Sequence, residues 1–191
     1  MILLPQLESY VPDLIKPDQS RQAAVALILC DISSEPGIFF IERATNKNDP
    51  WSGQIAFPGG NRDPEDNDIL STAIRETYEE VGIQLDKNSL IGRIDDQQGR
   101  SNYQSLPLVI SCFVFQLDPL QHAINNYEVA DSFWVGLDHL LNPDNFVEYK
   151  TPYSDDPYPG IRLNSERVLW GLTYRFVQMF IDTARQKNAM R

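Results

Sequence analysis

Two apolar runs of strand length, the continuous Ala23–Cys30 (AAVALILC) and the almost wholly apolar Leu106–Leu117, flank a segment in which the hydrophobic period changes. From Ile69 to Val81 the residues Leu70, Ala73, Ile74, Thr77 and Val81 return on one face at helical spacing. Asn67 or Asp68 stands where an N-cap acceptor is needed, and Gly82 stands where a left-handed residue would end the helix. Strands interspersed with helices in one compact unit predict a mixed α/β domain.

The remaining pattern extends that prediction. Gly37–Ile41 (GIFFI) follows Ala23–Cys30 across SSEPG, which is turn chemistry, so the two runs read as a hairpin. Gln54–Phe57 reads as a short strand stopped by Pro58-Gly59-Gly60. Leu90–Ile94 and Asp131–Val135 read as further strands, the second running into a short helix at Leu137–Leu141. Residues 142–165 carry Pro143, Pro152, Pro157 and Pro159 and read as loop. Arg167–Ala184 reads as an amphipathic helix with Val168, Leu169, Leu172, Phe176 and Phe180 on one side. The expected organisation is an N-terminal arm over residues 1–22 and one domain over 23–191.

At 191 residues such a domain buries a core without disulfide or metal staples. Cys30 and Cys112 sit inside apolar runs and are expected as buried free thiols. The opening MILLPQLESYVPDLI has no basic side chain before Lys16 and is interrupted by Pro5, Glu8 and Asp13. It is a poor signal peptide, and no apolar run is long enough to cross a membrane, so a cytoplasmic location without membrane association is expected. Acidic residues number 27 against 16 basic ones, a formal charge of −11. Such a surface repels phosphate backbones and argues against nucleic-acid binding. A phosphorylated small molecule is still admissible, because divalent cations reverse the field within one pocket.

The chemistry-bearing stretch is Gly53–Ile83. On a helix, Glu76, Glu79 and Glu80 fall within an arc of about 100°, set away from the apolar stripe. Their mutual repulsion and their place near the helix C-terminus both oppose helix formation. Spacing alone leaves two readings open, a solvated acidic face or a cation site. The Pro-Gly-Gly turn leading into the segment favours the second, as does Arg75, placed one helical turn before Glu79 to orient it by a charge-assisted hydrogen bond. Oxygen-only ligands favour Mg²⁺ or Mn²⁺.

Arg75-Glu76-Thr77-Tyr78-Glu79-Glu80-Val81-Gly82-Ile83 resembles the second half of the Nudix box, with Thr77 in place of an aliphatic residue. A one-residue insertion in the first half puts Gly60 at the box glycine and Asp66 at its first acidic position. Gly53-Gln54-Ile55-Ala56-Phe57-Pro58-Gly59-Gly60 is similar to the lead-in of the coenzyme A diphosphatase branch of that family. Tyr127-Glu128-Val129, Phe133-Trp134-Val135, Leu137-Asp138, Pro159-Gly160-Ile161 and Leu169–Thr173 continue the resemblance, which covers residues 23–180. Upstream of Gly53 this chain reads ATNKNDPWS, departing from the branch's arginine and histidine pattern.

The resemblance implies an α/β/α sandwich with a mixed central sheet. It implies a Mg²⁺- or Mn²⁺-dependent diphosphohydrolase in which Glu76, Glu79 and Glu80 are metal ligands and Arg75 orients a carboxylate. Glu128 is the candidate general base, with a structural role in its loop as the alternative. Arg43 and Lys47 are candidate phosphate contacts; Trp51 either stacks on a base or packs; Tyr103 is a candidate pocket residue. The expected substrate is a nucleoside diphosphate derivative, with coenzyme A or an acyl-coenzyme A first. ADP-ribose, a dinucleotide or an oxidised nucleotide is the alternative, and a non-catalytic nucleotide-binding module is the reading of another class. His122 and His139 are expected to be solvated. The aromatic stretch Trp170, Tyr174, Phe176 and Phe180 reads as core or as a homodimer face.

Overall fold

The computed structural model describes residues 7–16, 20–32, 34–47, 51–99, 107–151 and 154–185. β1 (Arg21–Ile32) and β2 (Glu35–Arg43) form the expected hairpin, with Leu29 opposite Ile38. β6 (Leu108–Gln116) runs parallel to β1, and β5 (Leu90–Gly99) pairs antiparallel with β6. On the other side, β7 (Val129–Gly136) and the short β3 (Ile55–Ala56) pair with β2, while β4 (Gly59–Asn61) pairs with β1. One parallel pair among antiparallel ones makes the sheet mixed.

The runs do not alternate between apolar and polar residues because the sheet is covered on both faces. In β1, Ala23, Leu27 and Leu29 face one core while Ala24, Ala26, Ile28 and Cys30 face the other. Helix α1 (Ile69–Val81) packs Ala73 and Val81 onto the second core. Helix α3 (Gly171–Arg185) packs Phe176, Val177, Phe180 and Ile181 onto the first. The result is the expected α/β/α sandwich. A five-residue helix, α2 (Leu137–Leu141), follows β7 as expected. Cys30 and Cys112 are buried and free, and among the described residues no helix is long and apolar enough to span a bilayer.

The N-terminal segment is bound to the edge of the sheet. Leu7 is buried in the first core, and its carbonyl lies 2.8 Å from where a Cβ on Gly92 would sit. The Tyr10 hydroxyl and the Asp13 N–H both donate to Asp95, and the Ile15 N–H donates to Asp96.

Two expectations are overturned. Residues 142–165 are not loop: β8 (Phe146–Thr151) and β9 (Ser154–Arg162) pair antiparallel, and β10 (Val168–Trp170) completes a second, three-stranded sheet. Pro157 and Pro159 are tolerated because β10 covers only Gly160–Arg162, which leaves the earlier part of β9 with a single neighbour. The terminal helix does not start at Arg167 either. Val168 and Leu169 pair in β10, and the helix begins at Gly171, whose φ of 67° ends the strand. Of the aromatic stretch, Phe176 and Phe180 are core, Tyr174 packs partly buried against it, and Trp170 lies against Tyr149 and Tyr158.

Candidate active site

Helix α1 carries the expected caps. The Asp68 side chain accepts the Ser71 N–H at 2.7 Å, and Gly82, at φ 67°, donates its N–H to the Tyr78 carbonyl. The carbonyls of Glu80 and Val81, orphaned at the helix end, are taken by the N–H groups of Asn126 and Ile124. Those bonds tie the loop before β7 to the helix. The Ala44 N–H in turn holds the Glu128 carbonyl at 2.8 Å. The ends of β2 and β7 and the C-terminal half of α1 therefore meet at one place.

The three helix carboxylates are not equivalent, and here the sequence-based arc needs correction. They do not all face away from the apolar side. Glu79 is half exposed, the Glu76 side chain is 18% exposed, and Glu80 is 2% exposed, beside the buried Thr77 and Val81. The reason lies in Gly59 and Gly60. Gly59 adopts φ 150° and donates its N–H to Glu80 Oε2 at 2.8 Å; a Cβ there would collide with the Ala24 carbonyl. A Cβ on Gly60 would come within 2.5 Å of both Glu76 oxygens. Bare backbone lets the acidic face of the helix approach the sheet.

Burial pushes the Glu80 carboxyl up to about 7, against the pull of the Gly59 N–H and the Arg43 charge, with Glu76 and Glu128 adding to the rise. Burial also raises Glu76; the adjacent Arg75 opposes this, and Glu79 and Glu128 reinforce it. Glu76, Glu80 and Glu128 thus lie within electrostatic reach of one another, with Arg43 beside Glu80. Gly60→Ala is expected to displace the Glu76 carboxylate, weakening Mn²⁺ binding and kcat about 10- to 100-fold with little change in Tm. The Glu76 tip is the flexible end of its side chain and yields cheaply, unlike the backbone that crowds Gly59. Calorimetric Mn²⁺ titration and thermal melts would check both halves of that result.

Arg75 does more than orient Glu79. Its Nη1 bonds Glu79 Oε2 and Glu76 Oε1, each at 3.0 Å, and its Nη2 reaches the Asn61 carbonyl at 3.1 Å. Its Nε and Nη2 form a two-point bond to Asp66 at 2.9 Å each. Asp66 also accepts from the Thr72 hydroxyl and the Asp63 N–H. The Arg75 guanidinium, helped by those donors, holds the Asp66 carboxyl well below the usual carboxylate range. The first acidic position of the box is a brace for Arg75.

Arg43 ends β2 at a bulge between Glu42 and Arg43. Its backbone closes the next turn, accepting the Gly53 N–H and donating to the Gln54 carbonyl. Lys47 is exposed in the loop that follows. Trp51 packs, half-buried, against the first core. Tyr103 lies outside the described residues. His122 is exposed, and His139 Nε2 lies 2.8 Å from the Arg162 carbonyl, so His139 is engaged by backbone. Sequence reasoning missed the Asp131–Glu42–Arg167 cluster next to the site, whose members are too far apart in sequence for any local pattern.

Among the described residues no group of three His, Cys, Asp or Glu side chains closes a cage for an ion. The donor set still suits a small hard cation. It is all oxygen, partly buried and anionic, and Mg²⁺ uses one or two carboxylates while keeping waters and taking substrate phosphates. A closed protein cage is not what such an ion needs.

The NUDIX domain model matches residues 20–156. The uncharacterized Nudix hydrolase NudL of Photorhabdus laumondii is 35% identical over 176 residues, which cover 88% of this chain and 87% of that protein. The mitochondrial coenzyme A diphosphatase NUDT8 of Mus musculus is 32% identical over 129 residues, covering 66% of this chain and 60% of that protein. An uncharacterized protein of Schizosaccharomyces pombe is 34% identical over 158 residues, covering 72% of this chain and 48% of its own length. The chain thus spans about half to three-fifths of the length of the last two relatives. A MutT/nudix family protein of Enterococcus faecalis shares the fold, with a TM-score of 0.59 at 13% identity, over 92% of this chain and 65% of that one. With the domain model matched over most of its length and the box residues assembled on α1, this chain belongs to the Nudix hydrolase family.

Proposed function

We propose that the protein hydrolyses the diphosphate linkage of a nucleoside diphosphate derivative with Mg²⁺ or Mn²⁺, coenzyme A or an acyl-coenzyme A being the first candidate substrate. The observation that carries the reading is the buried Glu80 carboxyl, held by the Gly59 N–H with Glu76 and Glu128 in electrostatic reach. A carboxylate cluster kept against desolvation and repulsion is costly for a fold that has no use for a cation. The coenzyme A assignment is supported by the Gly53–Gly60 lead-in and by the similarity to NUDT8.

Glu76 and Glu80, with Glu79 at the outer rim, would hold the ion. When bound, it lowers the pKa of a coordinated water and neutralises diphosphate charge. Arg75 fixes Glu76 and Glu79 through its Nη1. Glu128 is the candidate to accept the proton of the attacking water, and its loop is bonded to the helix end. Arg43, at the end of β2 and within electrostatic reach of Glu80, is one candidate phosphate contact, and Lys47, in the loop that follows, is the other. Trp51 serves as a packed wall.

The test is product analysis on coenzyme A, an acyl-coenzyme A, ADP-ribose, NADH, a diadenosine polyphosphate and nucleoside triphosphates, each with Mg²⁺, Mn²⁺ or chelator. The expected result is metal-dependent release of 3′,5′-ADP and phosphopantetheine from coenzyme A. Cleavage of ADP-ribose, NADH or another panel member instead would keep the chemistry and move the substrate. Ion binding without any product would sink the coenzyme A assignment and point to a substrate outside the panel. Absence of both would favour a nucleotide-binding module.

A further inference from the structure

Glu42 and Asp131 stand directly opposite each other on β2 and β7. Like charges in that relation push paired strands apart. Here they are bridged from a distance. Arg167, in the turn joining β9 to β10, places Nε 2.8 Å and Nη2 2.7 Å from Glu42 Oε2, and Nη2 2.6 Å from Asp131 Oδ2. Its guanidinium also lies over the Phe133 ring, 4.6 Å from the centroid. The turn is itself braced: Asn164 Oδ1 accepts the N–H groups of Glu166 and Arg167, and the Arg167 carbonyl accepts the Leu163 N–H. Arg167 and its turn lie beyond residue 156, where the family match ends, while the two carboxylates that it bridges lie within the match.

The clamped pair sits at a critical point of the sheet. The β-bulge falls between Glu42 and Arg43, the next residue in β2. Arg43 lies within electrostatic reach of Glu80. One residue further, the Ala44 N–H holds the Glu128 carbonyl. Any splaying of Glu42 from Asp131 would move Arg43 and Glu128 relative to α1.

We propose that Arg167 is a positioning residue for the Nudix site: by clamping Glu42 to Asp131 it fixes the strand ends that present Arg43 and Glu128 to the carboxylates of α1. The proposal rests on the reading of that carboxylate cluster as the divalent-ion site. It assigns to the C-terminal hairpin a part in the reaction.

The test compares Arg167→Ala, Arg167→Lys and the triple variant Arg167→Ala/Glu42→Gln/Asp131→Asn. Two readouts are used: Mn²⁺ affinity from the electron paramagnetic resonance of free Mn²⁺, and kcat and KM on the panel substrate that the wild type cleaves. In Arg167→Ala, Mn²⁺ affinity is expected to fall about tenfold and kcat about 10- to 100-fold, with KM within about twofold. The triple variant is expected to recover most of both losses, because the repulsion that Arg167 neutralises is gone; Arg167→Lys is expected to fall between. Unchanged Mn²⁺ affinity and kcat beside a lowered Tm would overturn the proposal, leaving Arg167 a scaffold residue. A raised KM at unchanged kcat would overturn it as well, making Arg167 a substrate contact. Should the wild type bind Mn²⁺ yet cleave nothing on the panel, the substrate assignment fails, and the Mn²⁺ series still decides the clamp.

Discussion

Glu80→Gln is expected to lower kcat by about a thousandfold and, in chelator, to raise the Tm of the protein. Both effects come from removing one charge without changing shape. The glutamine Oε1 can still accept the Gly59 N–H, so the backbone bond at 2.8 Å survives. What disappears is an anionic ligand, and several kcal/mol of transition-state charge stabilisation go with it. In the metal-free fold, that same anion is a burden. Burial raises the Glu80 carboxyl from 4.5 to about 7, so the folded state holds this proton more tightly than the unfolded chain does. The penalty is absent below about pH 4.5, grows as pH rises through the interval, and is complete above about pH 7, where it approaches ~3 kcal/mol. The Tm advantage of the glutamine variant is therefore expected to be near zero at pH 4 and several degrees at pH 8. Added Mg²⁺ is expected to stabilise the wild type at pH 8 and to leave the variant nearly unmoved. A variant that turned over at the wild-type rate, or melted lower than wild type in chelator at pH 8, would remove Glu80 from the centre of the site.

Local signals made α1 legible: a helical period, an acceptor at Asp68 and a glycine at 82 are all properties of one short stretch. The central strands were legible for a related reason, since burial on both faces leaves a nearly continuous apolar run. Features that depend on a partner elsewhere were not. Pro157 and Pro159 signal loop in isolation, and only the shortness of β10 makes them compatible with β9. Val168, Leu169, Leu172 and Phe176 keep helical spacing because β10 and α3 bury residues against the same core, so a strand and a helix read as one element. Within the site, the box residues were identified by resemblance, but their division of labour was not. On β4, Gly59 donates its N–H to the buried Glu80 and Gly60 leaves room for Glu76, and Arg75 is occupied chiefly by Asp66. The Arg167 clamp joins residues 125 positions apart in sequence, and no periodicity reports such a pair.

The brace between Asp66 and Arg75 gives the second large effect. Asp66→Asn is expected to destabilise the protein by about 3 kcal/mol and to cut kcat about 10- to 100-fold. The Asp66 side chain is 5% exposed and accepts four hydrogen bonds, two of them from Arg75. An asparagine offers a single acceptor oxygen and turns an amide donor toward the Thr72 hydroxyl, the Asp63 N–H or the guanidinium. The Arg75 charge, 70% buried, then loses its principal counter-ion while still needing solvation. Arg75 is also the link through which the loop before α1 is tied to Glu76 and Glu79. Loosening it should misplace both carboxylates, which converts a stability defect into a catalytic one. The pH dependence separates this from the Glu80 effect. Because the Asp66 carboxyl is depressed in the fold, its contribution is fully present above its ordinary value of 3.8 and is lost only as pH falls below that, towards the folded value. The stability gap between wild type and Asp66→Asn should be constant from pH 5 to pH 8 and should narrow only in stronger acid. The Glu80→Gln gap opens over the range where this one is flat. Denaturant melts at pH 3, 5 and 8 would decide it: a gap under about 0.5 kcal/mol at pH 8 would mean that Arg75 finds its counter-charge in Glu76 and Glu79 alone.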